Sequence, residues 1–141
     1  MISSETRTLL IQKAKEIVNH AYAPYSKFHV GAALLTESGQ IYVGCNVENA
    51  SYGLTVCAER NAIFSAVAKE GPHMRLKAIA ITSLPHAIAS PCGACRQVMS
   101  EFAKNIPVIF LNNDTYIDLS LEDLLPHNFI FHGGLIPLDL S

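Results

Sequence analysis

The chain has no basic run: its ten Lys and Arg are scattered over 141 residues, and its formal net charge is −2. A surface that tracks nucleic-acid phosphates needs clustered positive charge, so this pattern speaks against a nucleic-acid partner. Long hydrophobic runs are also missing. No stretch of about 18 apolar residues is present to span a bilayer, and the start, MISSETRTLL, lacks the basic and then apolar regions of a secretory leader. The expectation is a cytoplasmic chain with no membrane partner. With no internal repeat, linker or low-complexity tract, and with half its residues hydrophobic, the chain reads as one domain over residues 1–141. The sequons at Asn49-Ala50-Ser51 and Asn113-Asp114-Thr115 are then chance matches.

Cysteine is scarce, at four residues: Cys45, Cys57, Cys92 and Cys95. In a reducing compartment, thiolate metal ligation is a better reading of them than two disulfides. Their setting follows from the pattern along the chain. Leu10, Ala14, Ile17, Val18 and Ala21 recur at helical spacing, predicting a helix from Ser4 to about His20 capped by Ser3 or Ser4. AYAPYSKF is a loop, and HVGAALLT and IYVGCN are two strands joined by the turn ESGQ into an antiparallel hairpin. After the loop NVENASYGLT, the segment Cys57 to Lys69 is a helix stopped at Gly71-Pro72.

LKAIAITS is a third strand, ASPCGAC a tight turn, Arg96 to Lys104 a further helix and PVIFL a fourth strand. Only Asn112, Asn113 and Asp114 separate PVIFL from the strand TYIDL. That is too short for a parallel crossover, so these last two strands must be antiparallel neighbours. The late segment LEDLLPHNFIFHGG provides a short helix stopped at Pro126 and an irregular apolar end.

Cys92 and Cys95 have the C-x-x-C spacing that brings two sulfurs from one turn onto a metal, and Cys57 is the source of a third. Three protein ligands leave a coordination position open, which marks a catalytic zinc rather than a structural one. Two alternatives stand beside this reading. A redox dithiol accounts for Cys92 and Cys95 alone, and a closed four-sulfur site would need Cys45, which sits in a strand and reads better as a small core residue. Three thiolates and Zn²⁺ sum to −1, a charge that two helix N-termini and Arg60 would offset. Glu59, two residues from Cys57, shares no helix face with it, so Cys57 must sit at the helix start for Glu59 to approach the metal without ligating it. A non-ligand Glu near a Cys₃ zinc, with Pro before the C-x-x-C, is the signature of zinc deaminases.

CAER, PCGACRQ, AYAPYSKFHVGAAL, GCNVENASYG and the late LLPHNF together resemble the small homotetrameric cytidine deaminases, in order and over nearly the whole chain. Relatives that act on deoxycytidylate or on nucleic-acid bases commonly carry His in place of Cys57 and a helix between the last two strands. The resemblance implies an α/β fold, a three-layer α/β/α domain with a mixed five-stranded sheet. It implies hydrolytic deamination of cytidine and 2′-deoxycytidine in pyrimidine salvage, with one Zn²⁺ per chain held by Cys57, Cys92 and Cys95. Glu59 becomes the catalytic acid and base and Arg60 the neutralising charge. Phe28 corresponds to a pyrimidine-stacking aromatic, and Asn46 and Glu48, two apart on an extended segment, to the grip on a ribose hydroxyl. Tyr52 and Phe129 correspond to residues that reach a neighbouring subunit's pocket. Deamination of a cytosine-containing antibiotic is the alternative on the same fold, and Asn46 and Glu48 suit a nucleoside sugar better. His127 and Asn128 vary within the tail motif, and the role of FIFHGGLIPLDLS is open.

Overall fold

The computed structural model describes residues 1–131, so the tail from His132 onward lies outside the described residues. Five strands form one sheet: β1 (His29–Thr36), β2 (Ile41–Cys45), β3 (Leu76–Leu84), β4 (Pro107–Asn112) and β5 (Thr115–Ser120). They lie in the order β2-β1-β3-β4-β5. The β3–β4 pair is parallel and the other neighbours are antiparallel, which makes the sheet mixed. The helices are α1 (Ser4–Ile17), α2 (Ala58–Glu70), α3 (Gly93–Phe102) and the single turn α4 (Leu121–Leu124). Among the described residues no helix is long and apolar enough to cross a membrane.

The two faces of the sheet carry different layers. Alternation along β1 sends Ala33 to one face, where it packs with Leu10 and Ala14 of α1, Ala78 and Ala80 of β3 and Ile109 of β4. Ala32 and Leu34 point the other way, into a larger cluster with Ala58, Ala62, Ile63 and Ala66 of α2 and Cys95 and Met99 of α3. Nearly all of β3 is buried, as expected of a strand covered on both sides. Two glycines set how closely the helices lie. A Cβ at Gly31 would come within 2.3 Å of the Ala14 carbonyl in α1, and one at Gly44 within 2.5 Å of the Ala58 carbonyl in α2.

Most predicted elements appear where the pattern placed them, with three shifts. The first helix is α-helical to Ile17 and tightens into a 3₁₀ turn over Val18–His20. Ser3 is its cap, accepting from the Thr6 N–H at 3.1 Å. Asn112 pairs with Thr115 inside the β4–β5 ladder, so the connection is the two residues Asn113 and Asp114, with Asn113 at φ 59°. The helix expected from Arg96 begins at Gly93 and ends at Phe102. Pro91 and Gly93 make PCGAC look like a turn, yet the Arg96 N–H closes onto the Cys92 carbonyl at 3.0 Å and starts the helix there.

Candidate active site

Helix α2 begins at Cys57, an extended N-cap residue with ψ 155°, and α3 begins at Cys92, an N-cap with ψ 167°. Cys95 lies in the first turn of α3, fully buried. Both helices therefore present free N–H groups and the positive ends of their dipoles to one place. The sulfurs of Cys57, Cys92 and Cys95 converge there, all within 4.8 Å of one another. Cys57 and Cys92 sulfurs are 3.9 Å apart, while tetrahedral zinc with Zn–S bonds of about 2.3 Å spaces its sulfurs by about 3.8 Å. The donor set and its spacing fit one zinc ion. Cys45, on β2, is not part of this cluster, and burial pushes its thiol up, away from the thiolate form.

The electrostatics of the cluster favour anionic sulfur. Arg60 Nη2 donates to the Cys57 sulfur at 3.3 Å. The hydrogen-bonded Cys95 thiol, with Arg60 adding to it, holds Cys57 well below the usual thiol range. Cys95 is pushed up in turn by the Cys57 sulfur that accepts from it and by burial. Glu59, the second residue of α2, is only 4% exposed. Burial, with the Cys57 charge beside it, lifts its carboxyl to about 7. Its Oε2 has no hydrogen-bond partner in the protein. A buried acceptor left unpaired is costly, and beside this cluster it is free to accept from a bound water.

A second group of residues lies beside this centre. Val47 and Val56 exchange both backbone hydrogen bonds at 3.0 Å, which places the segment Asn46 to Glu48 against the residue that precedes Cys57. Asn46 is 7% exposed. Its Nδ2 donates to the Phe28 carbonyl and its Oδ1 accepts from the Val30 N–H, both at 2.8 Å. Glu48 Oε1 accepts from the N–H groups of Tyr25 and Ser26 at 2.9 and 3.1 Å, and its Oε2 from the Ser26 hydroxyl at 2.5 Å. Both side chains thus hold the loop that carries half-buried Phe28. Tyr52 and Phe129 stand apart on the surface, 74% and 71% exposed. Tyr52 meets Tyr25 edge-on at 5.8 Å between ring centroids, and the Phe129 carbonyl accepts from Gln97 Nε2 at 3.0 Å.

Two further residues shape the site, and the sequence pattern assigned neither of them a role. Arg96 donates from Nε to the Pro91 carbonyl and from Nη1 to the Leu124 carbonyl, both at 2.7 Å, and from Nη2 to the Ser90 hydroxyl at 2.9 Å. It ties the segment before Cys92 to the end of α4. Asn61 Nδ2 donates to the Cys45 carbonyl at 2.8 Å, fastening α2 to the end of β2. The one hint of Arg96 in the sequence is its place directly after the C-x-x-C pair.

Known proteins resemble this chain in sequence and in fold. The family model for the cytidine and deoxycytidylate deaminase zinc-binding region matches residues 4–111. A cytidine deaminase of Sporosarcina psychrophila is 50% identical over 104 residues, 74% of this chain and 75% of its own. One of Halalkalibacterium halodurans is 44% identical over 125 residues, 87% of this chain and 93% of its own. The crystal structure of a cytidine deaminase from Burkholderia pseudomallei superposes with a TM-score of 0.79 at 47% identity, covering 91% of this chain and 100% of that one. With three sulfurs at two helix starts, a buried glutamate beside them and this likeness over most of its length, the chain belongs to the cytidine and deoxycytidylate deaminase family.

Proposed function

We propose that this chain converts cytidine and 2′-deoxycytidine, with water, to uridine and 2′-deoxyuridine and ammonia, serving pyrimidine salvage. The observation that carries the reading is Glu59: a carboxyl raised to about 7, with one oxygen unpartnered, beside three convergent sulfurs. Cys57, Cys92 and Cys95 would hold the zinc, which when bound activates water at neutral pH. Glu59 is placed to take the proton of the attacking water at Oε2. It delivers that proton to N3 of the cytosine ring as the oxygen adds to C4, so no free ring anion forms. A second transfer through the same carboxyl carries the proton of the hydroxyl now on C4 to the amino group, and the C4–N bond breaks to release ammonia as the C4 carbonyl forms. A buried carboxyl with a free oxygen can both accept and return a proton, which is what this sequence of transfers asks of it.

The remaining roles follow the same reading. Phe28 stacks on the pyrimidine, Asn46 and Glu48 take a sugar hydroxyl, and Arg60 offsets the charge of the sulfurs. Tyr52 and Phe129 are large apolar residues left mostly exposed, which supports a homotetramer in which each reaches a neighbour's pocket. Four chains of 15.3 kDa would have a mass of about 61 kDa. The reading treats residues 1–141 as one domain working in the cytoplasm. The test is ammonia release from cytidine by zinc-loaded protein, with the mass of the active species taken by light scattering. Zinc-loaded, folded protein that releases no ammonia from cytidine would refute the activity, and an active monomer would refute the shared pockets.

A further inference from the structure

The loop between α1 and β1 contains a short hydrogen-bond chain that links two of the proposed substrate contacts through a third residue. The Phe28 N–H donates to Ser26 Oγ at 3.0 Å, and the Ser26 hydroxyl donates to Glu48 Oε2. Lys27, between them, has φ 60°, and this left-handed residue turns the chain back so that the Phe28 amide faces the serine. The Lys27 N–H closes the turn onto the Ala23 carbonyl at 3.1 Å.

We infer that Ser26 is a positioning residue for nucleoside recognition, its one hydroxyl setting the Glu48 carboxylate and the Phe28 backbone relative to each other. The inference rests on the reading above, in which Glu48 takes the sugar and Phe28 the base. A carboxylate offers about four lone-pair positions. The N–H groups of Tyr25 and Ser26 occupy Oε1, and the Ser26 hydroxyl takes one position on Oε2. One acceptor position on Oε2 is left for a sugar hydroxyl, and the serine proton fixes where it points. Asn46 completes the frame, since it spends Nδ2 on the Phe28 carbonyl and Oδ1 on the Val30 N–H and keeps one N–H over. Ser26 is exposed and adds little to the core, so its removal should act on recognition more than on folding.

The experiment compares wild type, Ser26→Ala, Ser26→Thr, Glu48→Gln and the double variant Ser26→Ala/Glu48→Gln. Each is zinc-loaded and assayed for kcat and KM with cytidine, and for competition by 2′,3′-dideoxycytidine, which keeps the 5′-hydroxyl but lacks the 2′ and 3′ hydroxyls that Glu48 would take. Ser26→Ala should raise the cytidine KM about three- to tenfold, the scale of one ordinary net hydrogen bond, because the carboxylate is displaced and not removed, with kcat changed less. Its affinity for the dideoxy competitor should change less than its cytidine KM. Ser26→Thr keeps the hydroxyl and should keep the KM, and the double variant should be no worse than Glu48→Gln alone. If Ser26→Ala does not fold, Ser26→Cys, with a weak donor at the same place, should show a rise in KM of the same sign. An unchanged KM in active Ser26→Ala, an equal loss for both nucleosides, or additive losses in the double variant would overturn the inference while leaving the deaminase reading standing. Wild-type protein that releases no ammonia from cytidine would overturn both.

Discussion

Arg60 and Cys57 face each other across the first turn of α2, with guanidinium Nη2 3.3 Å from the sulfur. The arginine lies three residues after the cysteine, so one turn of helix brings its charge back over the helix start. Arg60→Gln removes that charge and leaves Glu59 in place. Zinc retention should weaken about 10- to 100-fold, the usual scale for a residue that supports a metal ligand. Competition with a chelator measures it, and retention equal to wild type would show that the two helix ends suffice.

Glu59→Gln separates proton transfer from metal binding. Zinc content should stay at one per chain, while turnover of cytidine falls by about 10² to 10⁴ or more, the range for a lost general acid and base. The melting temperature should not fall, because the amide replaces a buried carboxyl whose Oε2 lacks a partner in the folded chain. A variant that keeps more than about a tenth of wild-type turnover would remove Glu59 from the proton path.

The metal assignment is tested by the cysteine that stands outside it. Cys45→Ala should bind zinc as wild type does, and Cys92→Ala should lose it. Metal analysis of both variants decides the matter, since equal zinc loss in the two would mean that Cys45 is a ligand.

Arg96 should matter to the metal without touching it. Its three hydrogen bonds hold the Pro91 and Leu124 carbonyls and the Ser90 hydroxyl, and Arg96→Ala leaves these acceptors unpaired at a cost of about 1–3 kcal/mol. Denaturant unfolding of the zinc-loaded protein reads the loss. Arg96→Lys should recover only part of it, because a single ammonium cannot reproduce the planar fork. Full recovery by lysine would mean that charge alone is what this position supplies.

Acid should erase the contribution of Glu48 to stability. The Ser26 hydroxyl foremost, with the N–H groups of Ser26 and Tyr25, holds its carboxyl below the usual range. A carboxyl lowered in the folded state stabilises fully above its unfolded value of about 4.3 and loses that contribution as pH falls through the folded value. The gap in melting temperature between wild type and Glu48→Gln should therefore be widest at neutral pH and close below about pH 4. A gap that stays constant down to pH 3 would show that the carboxylate form is not what the loop uses.

The elements of this fold were legible because each has a local signature. HVGAALLT matches β1 residue for residue, and the short link after PVIFL forced the antiparallel end of the sheet. The metal cluster was legible for a similar reason: two of its sulfurs are close in sequence, and the third stands beside Glu59 and Arg60. Helix α3 starts three residues ahead of the expected Arg96, because Pro91 and Gly93 signal a turn and only the backbone closure onto Cys92 shows that a helix has begun. Long-range hydrogen bonds left no trace in the pattern. Ser26 to Glu48 and Arg96 to Leu124 join segments far apart in sequence through single side chains, and no periodicity records such contacts.

Gly44 bears no atom that could take part in the reaction, yet the seating of α2 on the sheet depends on what it lacks. Its neighbours across the gap are the Ala58 carbonyl and the Ala62 N–H of α2, at 2.5 and 2.4 Å from where a Cβ would stand. Both are backbone atoms, so no change of rotamer could make room. Even a methyl group there would lift the first turn of the helix off the strand and carry Cys57, Glu59 and Arg60 with it. A variant at this position would look harmless by every measure of chemical similarity, with all its reactive groups intact. What it would disturb is where those groups stand, since the backbone that carries them has no room to yield.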